Sequence, residues 1–231
     1  MMSGESSRAL GSSGATQRVP LGGPFDDVAV PRGTNLLVSG PPMSGKRTLL
    51  FDALADRGPA DPVVVVSTDD GPERVFRALD CDPVNAAEER AAVVDCVSSE
   101  RGDAPSGAPT VVSVASPDDL TGIGIGSSTF LSRFDAGEGD VHRVAIDSLS
   151  TILHYADPRA AFRFLHVFTN RVRSVDGVGF YVVNPDAHDD RELARVSDLF
   201  DGALRVETTD EGPRCRLHGV GGDAEGEWRD L

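Results

Sequence analysis

The sequence predicts an α/β fold in which a mainly parallel central sheet is covered by helices on both faces. Short apolar runs alternate with segments of helical periodicity along most of the chain, which is typical of parallel strands joined by helical crossovers. A glycine-containing turn follows the first of these runs, and three later runs end in Asp or Asn. The chain has 231 residues, of which 39% are hydrophobic, so it can bury one core of this size.

The first run, residues 35–39, leads into a loop that fits a phosphate-binding pattern. Residues 40–46 have the sequence GPPMSGK, which matches G-x-x-x-x-G-K through the only lysine of the chain. In this pattern backbone N–H groups close around phosphate oxygens, and the lysine reaches the β and γ phosphates from the start of a helix. The residues predicted to bind nucleotide are Gly40, Pro41, Pro42, Met43, Ser44, Gly45, Lys46, Arg47 and Thr48.

One position of the loop departs from the pattern. Where the pattern has a Ser or Thr that ligates Mg²⁺, this chain has Arg47, and Thr48 follows one residue later. Because a helix turns by about 100° per residue, Thr48 replaces the missing hydroxyl only if the loop shifts. The sequence therefore favours phosphate binding over metal-assisted hydrolysis, and Thr48 is kept as a candidate ligand of a doubtful Mg²⁺.

The remaining elements follow from apolar periodicity and from Pro and Gly at their ends. Helical periodicity resumes at residues 48–57, which end at Gly58-Pro59. Further strands are predicted at residues 62–67, 92–95, 141–147 and 180–184, and a terminal antiparallel pair at 203–207 and 215–218. Further helices are predicted at residues 73–79, 158–175 and 191–200. Glycines at positions 122, 124 and 126 predict a loop or packed turn there.

Acidic and amide side chains follow three of the predicted strands. Asp69 and Asp70 come after the second strand, Asp147 ends another, and Asn184 ends a third. The carboxyl ends of parallel strands meet at one edge of a sheet, so these residues should lie near Lys46. In phosphoryl transfer one acid can orient Mg²⁺, a second can activate the attacking water, and an amide can contact the γ-phosphate.

The charge of the chain disfavours two classes of binding, although it leaves a local basic face open. Asp and Glu number 37 against 22 basic residues, and the net charge of −15 disfavours a non-specific grip on nucleic acid or on an anionic membrane. The longest aliphatic run, residues 63–66, is too short to span a bilayer, and no apolar run follows the initial Met, so we expect a cytoplasmic protein. The acidic, lysine-poor composition is typical of halophiles, and a GC-rich genome that favours Arg codons is the alternative explanation.

The sequence resembles the RecA superfamily over residues 24–220, and most closely the archaeal KaiC/RadA-like branch of that superfamily. Residues 66–73 are similar to the segment with paired catalytic glutamates, and residues 143–150 are similar to the Walker B strand. The resemblance implies catalytic roles for Asp69 and Asp70 and a metal-orienting role for Asp147. Asn184 is a further catalytic candidate because of its place at a strand end. The loop and residues 120–124 look like an uncharacterised haloarchaeal KaiC-like group.

The resemblance implies a RecA-like P-loop three-layer fold at residues 23–221, between a disordered tail at 1–22 and a second tail at 222–231. It also implies ATP as the ligand, and a protein partner or a homo-oligomer. Arg47, two Asp in place of Glu, and the absence of a Lys-x-Arg pair in residues 217–221 depart from the family's pattern.

Three hypotheses follow. The first is an ATP-binding regulatory or adaptor protein with weak or absent hydrolysis. The second is an active Mg²⁺-dependent ATPase, in which Thr48 or a water restores the metal and Asp69 acts as the base. The third is a nucleotide-free interaction module that has kept the fold.

Overall fold

A nine-stranded sheet and a two-stranded hairpin organise the computed structural model, which describes residues 17–101, 107–134, 137, 139–220 and 226–231. The strands are β1 Arg18–Gly22, β2 Phe25–Pro31, β3 Asn35–Ser39, β4 Val63–Ser67, β5 Ala91–Asp95, β6 Val111–Ser113, β7 Arg143–Asp147, β8 Val178–Val183, β9 Gly202–Thr209, β10 Gly212–His218 and β11 Arg229–Asp230. The helices are α1 Lys46–Ala55, α2 Pro72–Ala78, α3 Ser98–Arg101, α4 Leu120–Arg133, α5 Leu149–Tyr155, α6 Pro158–Ser174 and α7 Asp190–Ser197, and a 3₁₀ turn spans Pro185–Ala187.

The large sheet has the strand order β11-β10-β9-β3-β8-β7-β4-β5-β6. All neighbours from β9 to β6 pair in parallel, whereas β9 with β10 and β10 with β11 are antiparallel. Strands β4, β5, β7 and β8 are buried along their whole length, which is why their sequences are continuous apolar runs and do not alternate. The predicted parallel sheet with a C-terminal antiparallel pair is therefore confirmed.

Helices cover the sheet on both faces, so the fold has three layers. Alternate residues of β4 divide between two cores, with Val63 and Val65 in one and Val64 and Val66 in the other. Helices α1 and α2 and the β1–β2 hairpin pack in the first core, and α4, α5 and α6 pack in the second. The period of two along a strand that is buried on both faces produces this division.

Both segments predicted as tails contain a strand. Strand β1 lies within the segment assigned to the N-terminal tail, because its Val19 and Leu21 are buried and it pairs with β2. Strand β11 lies within the segment assigned to the C-terminal tail and pairs with β10 through Arg214 and Asp230. Residues 1–16 and 222–225 of those predicted tails lie outside the described residues.

The predicted loop at residues 122–126 is also wrong, because these residues belong to α4. Asp119 caps the helix by accepting a hydrogen bond from the Gly122 amide at 2.8 Å. A Cβ atom at Gly126 would stand 3.2 Å from Val112 Cγ1 and 3.3 Å from Val94 Cγ2. The absent side chain therefore lets the helix lie close to the sheet, and this packing overrides the low helix propensity of glycine.

Cys81, Cys96 and Cys215 are buried thiols that form no disulfide. Among the helices in the described part of the chain, none has the length and hydropathy needed to cross a bilayer.

Candidate functional site

The register of the parallel strands brings the predicted site residues to one edge of the sheet. Ser67 pairs with Asp147 across β4 and β7, and Ser39 pairs with Val183 across β3 and β8. The loops that follow these strands therefore start at the same level, next to the N-terminus of α1. Four separate segments of the sequence contribute to this edge.

The loop at residues 40–46 has the backbone conformation of an anion cradle. Gly45 is the N-cap of α1 with φ of 88°, and Met43 has φ of 57° with an almost fully exposed side chain. A Cβ atom at Gly40 would lie 2.6 Å from the Val206 carbonyl oxygen, so only glycine fits there. Pro41 is partly buried and Pro42 is exposed. The buried hydroxyl of Ser44 has no hydrogen-bond partner among the described residues.

Lys46, the first residue of α1, lies across the loop. Its Nζ donates a hydrogen bond to the Pro41 carbonyl oxygen at 2.8 Å. Burial lowers the pKa of the Lys46 ammonium, and the charges of Asp147, Asp186 and Asp69 act in the opposite direction. The ammonium is therefore held over the loop, within reach of an anion that enters the cradle.

Arg47 joins two of the predicted acidic residues. Its Nε donates to Asp147 Oδ2 at 2.6 Å, its Nη1 forms an ion pair with Asp70 Oδ2, and its guanidinium packs over the Phe51 ring. Although burial acts against the charged form, Asp147 and Asp70 raise the pKa of Arg47. The Arg47 guanidinium thus neutralises two carboxylates, one after β4 and one at the end of β7.

The two carboxylates differ in their surroundings. Asp147 is only 1% exposed, and burial raises the pKa of its carboxyl group although Arg47 opposes the change. Asp70 is buried as well, but hydrogen bonds from Arg74 and Arg47 outweigh burial and hold its pKa below the ordinary value. Arg74 Nη1 donates to Asp70 Oδ1 at 2.8 Å. Asp70 is therefore a weak proton acceptor.

The other two predicted residues lie beside this cluster. Asp69 is exposed and accepts a hydrogen bond from Thr151 Oγ1 at 2.8 Å. The Asn184 amide N–H donates to Ser150 Oγ at 2.8 Å, whereas its side-chain Oδ1 is buried without a hydrogen-bond partner among the described residues. The same Ser150 hydroxyl lies 3.0 Å from His188 Nε2.

Sequence reasoning missed several residues of the site. Ser150, His188 and Thr151 stand on helices or turns after the strands, so no motif marks them. Arg74 had a signal in the sequence, because a basic residue four positions after an acid on a helix often pairs with it.

The cradle fits a phosphate group. Helix α1 has ten residues, no side chain that caps its N-terminus, and no acidic residue in its first turn. The first amides of a helix have no intrahelical acceptor and carry partial positive charge. Together with Lys46 and the Ser44 hydroxyl, which has no partner among the described residues, they are chemically suited to an anion.

The acidic cluster does not fit Mg²⁺. The Asp147 and Asp70 oxygens that would face a metal already bind the Arg47 guanidinium. Thr48, the predicted alternative ligand, is exposed on α1, so Arg47 and not Thr48 is directed at Asp147. Within the described ranges, no group of three or more His, Cys, Asp or Glu side chains is arranged to hold a metal ion.

Comparison with known proteins supports the fold and leaves the activity open. A family model described as a family of unknown function (DUF7504) matches residues 33–206 of the 231. No curated protein matches the chain.

Two solved structures from Pyrococcus horikoshii have a similar fold. The KaiC-like protein PH0186 is 15% identical with a TM-score of 0.63, over 94% of this chain and 92% of that chain. The uncharacterised protein PH0321, solved in complex with an unknown peptide, is 19% identical with a TM-score of 0.62, over 80% of this chain and 82% of that chain. The predicted resemblance to KaiC-like proteins is confirmed at the level of the RecA-like fold, and the haloarchaeal group stays a prediction.

Proposed function

The chain belongs to the DUF7504 family, and we propose that it binds ATP at the loop of residues 40–46, hydrolyses it slowly or not at all, and acts as a nucleotide-responsive regulator or adaptor. The observation that carries the proposal is the Arg47 guanidinium, which bridges Asp147 and Asp70 beside the loop.

The bridge is compatible with nucleotide binding. Two buried carboxylates next to a phosphate site would repel the phosphates unless a cation neutralised them. In metal-dependent sites of this kind Mg²⁺ performs that role. Here Arg47 supplies a positive charge that is part of the chain, so the site needs no metal to accept an anion.

The same bridge works against hydrolysis. A guanidinium has only donors and cannot ligate Mg²⁺, and its charge repels the metal. Asp70, which holds two arginines, has a lowered pKa and accepts a proton poorly. Losing one charge-stabilising group in phosphoryl transfer commonly reduces the rate by roughly 10³-fold or more. The geometry therefore supports the regulatory hypothesis over the working ATPase, for which Asp69 stays the proposed base.

The adaptor part of the proposal rests on the relatives and on the family's fold. PH0321 was solved with a peptide bound, which supports a polypeptide as the partner of this chain as well. If ATP does not bind, the nucleotide-free interaction module is the hypothesis that remains.

Titration calorimetry with ATP in molar KCl tests nucleotide binding. We expect Lys46→Ala to weaken the affinity at least about tenfold, which is about 1.4 kcal/mol, because it removes the ammonium that lies over the cradle. Arg77→Ala, which removes one cation from an exposed position of α2, is the matched control and should bind like the wild type. Absence of binding by the wild type at millimolar ATP, or unchanged affinity of Lys46→Ala, would contradict the proposal.

A further inference from the structure

An apolar groove of about 900 Å³ lies between α4 and α6, on the sheet face opposite α1. Phe164, Phe168 and Leu131 contribute to its lining. Ile125 of α4 is 65% exposed and Val167 of α6 is 67% exposed, and both line the same groove. A single exposed aliphatic side chain is ordinary, but two that share a groove with the partly exposed Phe164 ring form a surface suited to a partner.

The charge around this groove is opposite to that of the whole chain. Neither α4 nor α6 contains an Asp or a Glu, whereas α6 contains four arginines. Two of them, Arg163 and Arg171, line the groove. In a chain with a net charge of −15, a stretch of surface without acidic side chains is conspicuous.

These two arginines have no acidic partner in the part of the chain that the structure describes. Arg171 donates hydrogen bonds to Ser132 Oγ at 3.2 Å and to Ser174 Oγ at 3.3 Å, which are neutral acceptors. Arg163 is exposed, and none of the ion pairs between described residues includes it. Their charges are therefore available to carboxylates from another molecule.

We infer that the α4–α6 groove binds an acidic amphipathic helix of a partner protein. The apolar side of that helix would fill the groove against Ile125, Val167 and Phe164, and its flanking Asp or Glu side chains would pair with Arg163 and Arg171. A groove between two packed helices accepts a third helix by the ordinary packing of ridges into grooves. Paired charges at its rim give orientation and selectivity.

A second copy of this chain fits the groove less well. In a two-fold symmetric dimer the same patch lies on both copies, so arginines of one groove would face arginines of the other. Like charges brought together in this way oppose association. The charge of the groove thus selects an acidic partner over self-association.

The α4–α6 groove would be the partner surface of the proposed adaptor, so its assignment rests on the proposed function. It does not depend on the nucleotide site, because the groove contains none of the residues of that site. The experiment is therefore run without nucleotide, and its failure leaves the ATP titration unaffected.

The test uses two fluorescently labelled peptides and measures anisotropy. Both have leucines at the i, i+3, i+4 and i+7 positions of a helix, and the remaining positions are glutamate in one peptide and lysine in the other. We expect the acidic peptide to bind at least about tenfold more tightly than the basic one, and hydrogen exchange to show protection of α4 and α6 on binding.

Matched variants locate the binding. Val167→Glu and the double variant Arg163→Glu with Arg171→Glu should each weaken binding of the acidic peptide at least about tenfold. Val84→Glu makes the first change at a position away from the groove that is 87% exposed, and Arg77→Glu reverses one exposed arginine away from the groove. Both should bind like the wild type. Melting curves establish that each variant is folded.

Several results would overturn the inference. Among them are a failure of the acidic peptide to bind, equal binding of both peptides, and equal binding by the groove variants and the wild type. A dimer in sedimentation that Val167→Glu dissociates would assign the groove to a second copy. Binding to phosphatidylserine vesicles that Val167→Glu abolishes would assign it to a membrane surface.

Discussion

The Nε atom of Arg47 lies 2.6 Å from Oδ2 of Asp147, whose side chain is almost completely buried at the end of β7. The resemblance of the sequence to the KaiC/RadA-like branch implies that Asp147 is the carboxylate that orients the metal. We propose that the Arg47 cation takes the place that Mg²⁺ has in such sites. The proposed binding of ATP with little hydrolysis depends on this contact.

The substitution Arg47→Thr should make the protein dependent on Mg²⁺. It removes the cation from Asp147 and Asp70 and introduces the hydroxyl that the loop pattern has at this position. We expect a lower melting temperature without metal, because two carboxylates lose their partner, a rise on adding Mg²⁺, and faster ATP turnover.

Arg74→Ala is the control for that substitution. It removes an arginine from Asp70 but leaves the Arg47 bridge, so its melting temperature should not respond to Mg²⁺. If the wild type hydrolyses ATP at a typical rate with strict Mg²⁺ dependence, and Arg47→Thr changes nothing, the active-ATPase hypothesis is correct instead.

Two glycines of α4 should respond to substitution in opposite ways. A Cβ atom at Gly124 meets nothing within 4 Å, so Gly124→Ala should stabilise the protein by up to about 1 kcal/mol through helix propensity. At Gly126 even a Cβ atom would crowd Val94 and Val112, so Gly126→Leu should destabilise by roughly 1–3 kcal/mol through overpacking. Urea unfolding of both variants measures the difference, and equal effects would refute the close approach of α4 to the sheet.

His142 should make the protein sensitive to mild acid. Its side chain is buried, its Nε2 donates to the Phe134 carbonyl oxygen at 2.8 Å, and burial lowers its pKa from the ordinary 6.5. Below about pH 6.5 the unfolded chain binds the proton more readily than the folded chain. The free energy of unfolding therefore decreases as the pH is lowered, by up to about 1.4 kcal/mol per pH unit, until the folded pKa is reached.

The substitution His142→Gln keeps an N–H donor and removes the titration. The loss of stability between about pH 7 and about pH 5.5, measured by urea unfolding, should be smaller in this variant than in the wild type. His154→Gln at an exposed position is the control and should keep the wild-type dependence. Identical pH profiles for the wild type and His142→Gln would show that His142 is not the group responsible.

The net charge of −15 should make stability depend on salt. Its self-repulsion in the folded state is screened as the Debye length shortens, so the melting temperature should rise between about 0.1 M and about 2 M KCl. A melting temperature that does not change with KCl would favour codon bias over halophilic adaptation as the origin of the composition.

The parallel core of the fold could be predicted because its signals are local. Strands such as β4 are continuous β-branched runs, and Asp157 and Pro158 mark the start of α6, where the Asp157 side chain accepts hydrogen bonds from the next amides. The loop at residues 40–46 could be found because a motif fixes the spacing of its residues. The position of Asp69, Asp70, Asp147 and Asn184 at one edge of the sheet could be predicted from the direction of the parallel strands alone.

The remaining features depend on contacts between distant parts of the sequence. The Arg47 bridge requires the register that pairs Ser67 of β4 with Asp147 of β7. These strands are buried on both faces, so their sequences show no alternation from which the register can be read. Helix α4 forms through its glycines because the sheet beneath Gly126 leaves no room for a side chain. Strand β1 buries only two apolar side chains, Val19 and Leu21, and β11 has only two residues, so neither sequence has the apolar run of a buried strand.

The affinity of the wild type for ATP, measured by calorimetry with excess MgCl₂ and again with EDTA, tests the role of Arg47 most directly. Because the guanidinium already neutralises Asp147 and Asp70, we predict dissociation constants that agree within about twofold in the two conditions. The same pair of titrations on Arg47→Thr should show tighter binding with metal. A loss of affinity of about tenfold or more for the wild type in EDTA would contradict the claim that Arg47 takes the place of the metal.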